Sequence, residues 1–169
     1  MGSVKKAITI VGEGEVVIKA AEDFDEGTYN ADKHLIAIVN VKGSVKLENL
    51  TVTGSRRSGI NAFESADVQL KDIVSKDNLA AGLNVNNSKV TAENLKTRGN
   101  AWYGVNVDNG SSPSPDAPES EFILISGEIA ELVQIVSDKG GVKVTLPEDY
   151  VEVKDDTGKI FWTNRVSEN

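Results

Sequence analysis

The sequence predicts an all-β solenoid, a single-stranded parallel β-helix of about six to seven short coils finished by a C-terminal hairpin. Three observations carry that expectation. Gly59-Ile60-Asn61-Ala62, Gly82-Leu83-Asn84-Val85 and Gly104-Val105-Asn106-Val107 repeat one pattern, glycine, apolar, asparagine, apolar, at steps of 23 and 22 residues. Around these stretches the chain divides into three units, 45–67, 68–89 and 90–110, whose letters align column by column. Within each unit apolar and polar residues alternate without helical spacing, as strands with one buried face require.

Each unit reads as one coil. Val45-Lys46-Leu47, Val68-Gln69-Leu70 and Val90-Thr91-Ala92 form the first strand, and Asn49, Asp72 and Asn94 bend the chain before Leu50, Ile73 and Leu95 open the second. Asn and Asp suit that bend because their short polar side chains tolerate a left-handed backbone. Stacked coil on coil, they are expected to form a buried amide ladder, weakened where Asp72 cannot donate. A polar loop follows, and the Gly-apolar-Asn-apolar stretch is the third strand.

Weaker copies extend the coil at both ends. Residues 7–18 (AITIVGEGEVVI) and 35–47 (LIAIVNVKGSVKL) alternate in the same way. The Pro- and Ser-rich stretch 111–120 (SSPSPDAPES) cannot be a stacked strand and reads as a surface loop. Rungs resume at Phe122–Ile125, Leu132–Val136 and Val142–Leu146, with a short helix an alternative over 129–136, and Tyr150–Trp162, interrupted by DDTG, reads as the closing hairpin. The expected organisation is one domain over 4–169: strong repeats 45–110, surface loop 111–120, C-terminal coils and hairpin 121–162.

Composition narrows the function classes. The 169 residues carry 26 acidic and 18 basic side chains, a net charge of -8, which argues against nucleic acid or an anionic membrane as the partner. No apolar run approaches the roughly 18 residues of a membrane span, so no membrane insertion is expected. No signal peptide is visible, and Met1-Gly2-Ser3 reads as a cloning scar, so the N-terminus carries no localisation. The absence of cysteine excludes disulfides, thiolate metal sites and a cysteine nucleophile, and the single His34 excludes a two-histidine metal site. The pattern specifies no oligomeric state.

With these residues in view a resemblance can be named. The units resemble the right-handed parallel β-helix of the pectate-lyase-like superfamily. The opening KKAITIVGEGEVVI and the later VKLENLTV are similar to the starts of bacterial surface domains with pectate-lyase-like adhesive repeats. The likeness runs over roughly residues 5–146 and implies a right-handed coil, an extracellular or cell-surface location, and a third strand that forms the polysaccharide-binding face in the superfamily's enzymes. The scaffold itself fixes no activity.

Alternation along the third strand sends Ile60, Ala62, Leu83, Val85, Val105 and Val107 inward and Asn61, Asn84 and Asn106 outward. Two readings of that Asn column stand: a structural ladder of stacked amides, or amides offered to sugar hydroxyls. The next outward column is Phe63, Asn86 and Asp108, and Trp102 and Tyr103 lie in the loop that feeds this face. Together these eight residues are the candidate ligand-binding set.

By the resemblance, catalysis would need clustered carboxylates for calcium with a nearby base, or paired aspartates with a histidine. Neither cluster is readable, so no catalytic residue is assigned. The acidic stretch 22–27 reads first as a solvated loop; Asp23 and Asp25 are its calcium candidates, and no cofactor is assigned. The expected function is a non-catalytic carbohydrate- or protein-binding or structural module of a bacterial cell-surface or secreted protein, with a glycan or a surface protein as partner. The alternative is a small polysaccharide lyase or glycoside hydrolase drawing its acid and base from Asp67, Asp77, Asp108, Arg57 and Arg98.

Overall fold

In the computed structural model, residues 2–21, 33–110, 112–136 and 140–165 are described, and every regular element among them is a β-strand. Asp23 and Asp25 lie outside the described residues. Three coils repeat most regularly. In each a ten-residue strand, β5 (Ser44–Thr53), β7 (Asp67–Lys76) or β9 (Lys89–Arg98), precedes a four-residue strand, β6 (Ile60–Phe63), β8 (Leu83–Asn86) or β10 (Val105–Asp108). N-terminal to them lie β1 (Gly2–Val4), β2 (Ile8–Val11), β3 (Val17–Lys19) and β4 (Ile36–Val39). C-terminal to them lie β11 (Glu121–Leu124), β12 (Gly127–Ile129), β13 (Val133–Val136), β14 (Lys143–Thr145), β15 (Val151–Lys154) and β16 (Ile160–Thr163).

The short strands stack in the order β1-β4-β6-β8-β10-β13, all parallel, and β16 and β15 complete this sheet antiparallel at its end. The long strands stack in a second parallel sheet, β14-β11-β9-β7-β5-β2, with β12 beside β9 and β3 beside β5. Sequential strands that alternate between two parallel sheets make a β-solenoid. The region 129–136 is strand, not helix. The expected hairpin forms as β15 and β16.

The structure corrects the count of strands per coil. Val45-Lys46-Leu47 and Leu50-Thr51-Val52 are not separate strands: β5 runs through Asn49, and its pairing with β7 continues on both sides, Glu48 with Lys71 and Leu50 with Ile73. Asn49, Asp72 and Asn94 do adopt the left-handed backbone, at φ 55°, 52° and 52°. A single left-handed residue present in each of these three coils at the same register bends their strands together, so the ladder survives the corner. Two further left-handed columns close each coil: Gly54, Asp77 and Gly99 after the long strand, and Asn40, Glu64 and Asn87 after the short one.

Register places like residues over like. Val45, Val68, Val90, Phe122 and Val144 stack in one inward column, and Ile36, Ile60, Leu83, Val105 and Val133 in another. Both sheets feed one apolar core, which is why the period of two is so regular in this chain.

Candidate functional site

The glycine column is explained from inside the coil. Ser55, Asn78 and Asn100 stand four residues before Gly59, Gly82 and Gly104, and all three are buried. The Asn78 side-chain oxygen accepts from the Ser55 N–H at 3.0 Å; the Asn100 oxygen accepts from Asn78 Nδ2 at 2.8 Å and from the Asn78 N–H at 3.2 Å. Asn100 Nδ2 donates to Ser75 O and to Glu131 Oε1, both at 3.1 Å, and Thr97 Oγ1 donates to Glu131 Oε2 at 2.6 Å. This polar ladder leaves no room beside the next strand. A Cβ on Gly82 would stand 2.8 Å from Gly104 O and 2.9 Å from Asn100 Nδ2, and one on Gly59 or Gly104 would meet Ser75 Oγ or Thr97 Oγ1. The sequence reading missed this ladder, although the 23- and 22-residue return of Ser55, Asn78 and Asn100 was a signal for it.

Outward from the same strands runs the Asn61, Asn84, Asn106 column. Asn84 Nδ2 donates to Asn61 Oδ1 at 2.7 Å, and Asn106 Nδ2 to Asn84 Oδ1 at 2.8 Å. The amide ladder is therefore made. Asn61, at its start, is buried with 8% of its surface exposed, whereas Asn84 and Asn106 are half-buried. In the neighbouring column Asn86 Nδ2 donates to Asp108 Oδ1, and Asn106 Nδ2 donates to Asp108 Oδ2 at 2.9 Å, so two amides hold this carboxylate on the sheet surface.

A groove of 610 Å³ opens over this surface. Its floor is Asn84, Asn86, Asn106 and Asp108, extended by Gln134 and Val136 of β13; its wall is Arg57, Ser58, Ala81, Ala101, Trp102 and Tyr103. The structure thus brings six of the eight sequence-derived residues together. Asn61 and Phe63 do not line the groove: they lie one coil toward the N-terminus, under β8. Gln134 was missed because β13 departs from the Asn pattern.

The wall is fixed by backbone bonds. Ala101 N–H donates to Asn78 O, Trp102 N–H to Ala80 O and Gly104 N–H to Leu132 O. Tyr103 is held from the C-terminal side, where its ring meets Phe161 at 5.8 Å between centroids and Lys159 Nζ lies 5.6 Å above it. Trp102 nevertheless presents 52% of its surface to solvent. An exposed indole beside half-free amides is suited to a flat polar ligand that buries one apolar face.

The ladder also limits what the amides can offer. Each side-chain amide has two N–H donors and an oxygen with two lone pairs. Asn106 spends both donors, on Asn84 and Asp108, and Asn84 spends one donor and one lone pair within the column. The second Asn84 N–H and the Asn106 oxygen take no part in the column, and both residues line the groove.

The bend ladder is partial, and it is not the buried stack expected from the sequence. Asn94 Nδ2 donates to Asp72 Oδ1 at 2.7 Å, but Asn49 turns to Gly12 O and Gly14 O at 2.8 and 3.0 Å, and Asn49 is exposed. Asp72 has no proton to pass on, which breaks the chain at that rung. The loop 112–120 carries no strand and is clasped by the buried Glu64 carboxylate, which accepts from the Ser114 N–H at 2.8 Å and from its hydroxyl.

The residues of the alternative enzymatic reading are dispersed. Asp67 begins β7 and accepts from Gln69 at 3.2 Å; Asp77 follows the far end of that strand, 3.9 Å from Lys76. Arg98 ends β9, the next strand of the same sheet, where its carbonyl accepts from the Asp77 N–H at 3.0 Å, so these two adjoin but stand apart from Asp67 and from the groove. Only Arg57 and Asp108 share the groove. His34 is buried ahead of β4 and does not line it. Among the described residues no group of three or more His, Cys, Asp or Glu side chains is placed to hold a metal ion. In comparison with known proteins, no family model matches the chain, and neither a curated protein nor a solved structure matches it significantly.

Proposed function

We propose that this chain is a non-catalytic carbohydrate-binding module, built on a right-handed parallel β-helix of the pectate-lyase-like kind and belonging to a bacterial cell-surface or secreted protein. The observation that carries the reading is the groove: an exposed Trp102 set against a floor of ordered amides and one amide-held carboxylate. A sugar ring suits both parts, its apolar face against the indole and its hydroxyls toward the amides of the floor. The two parallel sheets and their stacked Asn columns support the fold assignment, and the resemblance of VKLENLTV supplies the surface location. The dispersal of Asp67, Asp77 and Arg98 away from Asp108 favours binding over turnover, since general acid and base must reach one substrate from hydrogen-bonding distance.

A glycan array run beside a lyase assay on pectate and alginate tests this reading. Binding to a defined glycan without release of unsaturated uronides is the expected outcome. Turnover that disappears in Asp108→Asn would replace the module with an enzyme.

A further inference from the structure

A second surface lies on the other sheet. Register stacks Lys19, Thr53, Lys76 and Arg98 in one outward column and Val17, Thr51, Val74, Lys96 and Glu128 in the column beside it. Between β9, β12 and the chain after β16 lies a cleft of 500 Å³ lined by Lys96, Arg98, Glu128 and Arg165. Its one acidic lining residue is already engaged, since Arg165 Nη2 donates to Glu128 Oε1 at 3.0 Å. Among the described residues, Lys96 and Arg98 make no salt bridge, and both are exposed.

We infer that this cleft and the cationic column running from it form a second binding surface, for a linear acidic glycan. The chain carries a net charge of -8, so a positive patch on one sheet is a local departure that general solubility does not require. Arg98 and Lys96 stand two residues apart along one strand, about 7 Å, and Lys76, which shares its charge with Asp77 at 3.9 Å, lies beside Arg98 on the strand about 4.8 Å away. Such a grid matches a polymer with a charge on each repeat. Carboxylate, sulfate and phosphate all accept hydrogen bonds from a guanidinium, and Arg98 lines the cleft without an acidic partner, whereas Arg165 is held by Glu128. Single-stranded nucleic acid is disfavoured: Val74, Thr97 and Ala130 complete the cleft, and it has no aromatic platform on which bases could stack. The surface is distinct from the groove, because the two linings share no residue and rest on different sheets.

The test is titration calorimetry of the full chain with polygalacturonate, heparin, neutral dextran and an oligothymidylate, at low salt and at high salt. Polygalacturonate or heparin should bind at low salt and release as salt rises, and the better of the two names carboxylate or sulfate as the group recognised. Lys96→Gln/Arg98→Gln should weaken that binding by about tenfold or more at unchanged melting temperature, and Trp102→Ala should leave it unaltered. Absence of binding to either acidic glycan, equal binding by the double variant, or tighter binding of the oligothymidylate would each overturn the inference.

Discussion

Replacing Asn100 by Ala probes the ladder that dictates the glycine column. In the wild type the Asn100 oxygen accepts from the Asn78 N–H and from Asn78 Nδ2, and Asn78 is almost wholly buried, with 1% of its surface exposed. The substitution removes both interactions, and with them the Asn100 Nδ2 bonds to Ser75 O and Glu131 Oε1. Asn78 Nδ2 keeps Ser75 Oγ at 3.2 Å, and Glu131 Oε1 keeps the Asn100 N–H at 2.7 Å, so the groups left short of a partner are one backbone donor, one amide hydrogen and the buried Ser75 carbonyl. Each buried donor left unsatisfied costs about 1–3 kcal/mol, which sums to about 3 kcal/mol once partial access of water is allowed. The matched change on the outer ladder, Asn84→Ala, deprives Asn61 Oδ1 and Asn106 Nδ2, both on residues nearer to water than Asn78, and should cost about 1 kcal/mol. Urea denaturation followed by circular dichroism separates the two. With a slope of about 2 kcal/mol per M, Asn100→Ala should lower the midpoint by about 1.5 M and Asn84→Ala by about 0.5 M. Equal midpoints would refute the claim that the inner ladder, rather than the outer one, ties the coils together.

Three other outcomes follow from the same geometry. Gly82→Ala should destabilise by about 1–3 kcal/mol, because its new Cβ meets the Gly104 carbonyl and Asn100 in a packed column; an unchanged melting temperature would show that the strands can part. Leu83→Asp puts an unpaired charge at a wholly buried rung and should cost several kcal/mol; near-normal melting would mean that the inward face is assigned backwards. Asp155, in the hairpin turn, is held below its ordinary 3.8, first by the Thr157 hydroxyl and then by the Lys159 N–H. A lowered folded pKa contributes stability above the unfolded pKa and loses it as pH falls through the folded one. The stability difference between wild type and Asp155→Ala should therefore narrow below about pH 4, and a pH-independent difference would contradict the assignment.

What the sequence made legible was whatever recurs at the coil period on apolar or bend positions. Val45, Val68 and Val90 announce a rung because each faces the core, and Asn49, Asp72 and Asn94 announce a corner because few other residues accept that backbone. The continuity of β5 through Asn49 was not legible, since a bend that all coils share preserves pairing and a residue pattern cannot report it. Glu64 and Asp77 hid two further corners by breaking the preference for Asn or Gly. In the site, alternation correctly sent Asn84, Asn86, Asn106 and Asp108 outward, but the groove's position depends on where the loops from Arg57 and Trp102 rise, and this excludes Asn61 and Phe63. Gln134 and the cationic cleft come from register between distant strands, which a single-unit reading does not contain.

The outer Asn column is a structural seam, and on the proposed function its remaining valences, together with Trp102, form a recognition groove. The most direct measurement is the dissociation constant of the best array glycan, set beside the melting temperature, for wild type, Trp102→Ala and Asn84→Ala. The account predicts that Trp102→Ala weakens binding by about tenfold or more with its melting temperature unchanged, because aromatic anchors dominate such interfaces and this indole is half exposed. Asn84→Ala should lose both affinity and about 1 kcal/mol of stability, since its amide serves the ladder and the groove at once. Undiminished binding in a variant changed at Trp102, Asn84 and Asn106 together would place recognition elsewhere and leave the Asn column as seam alone.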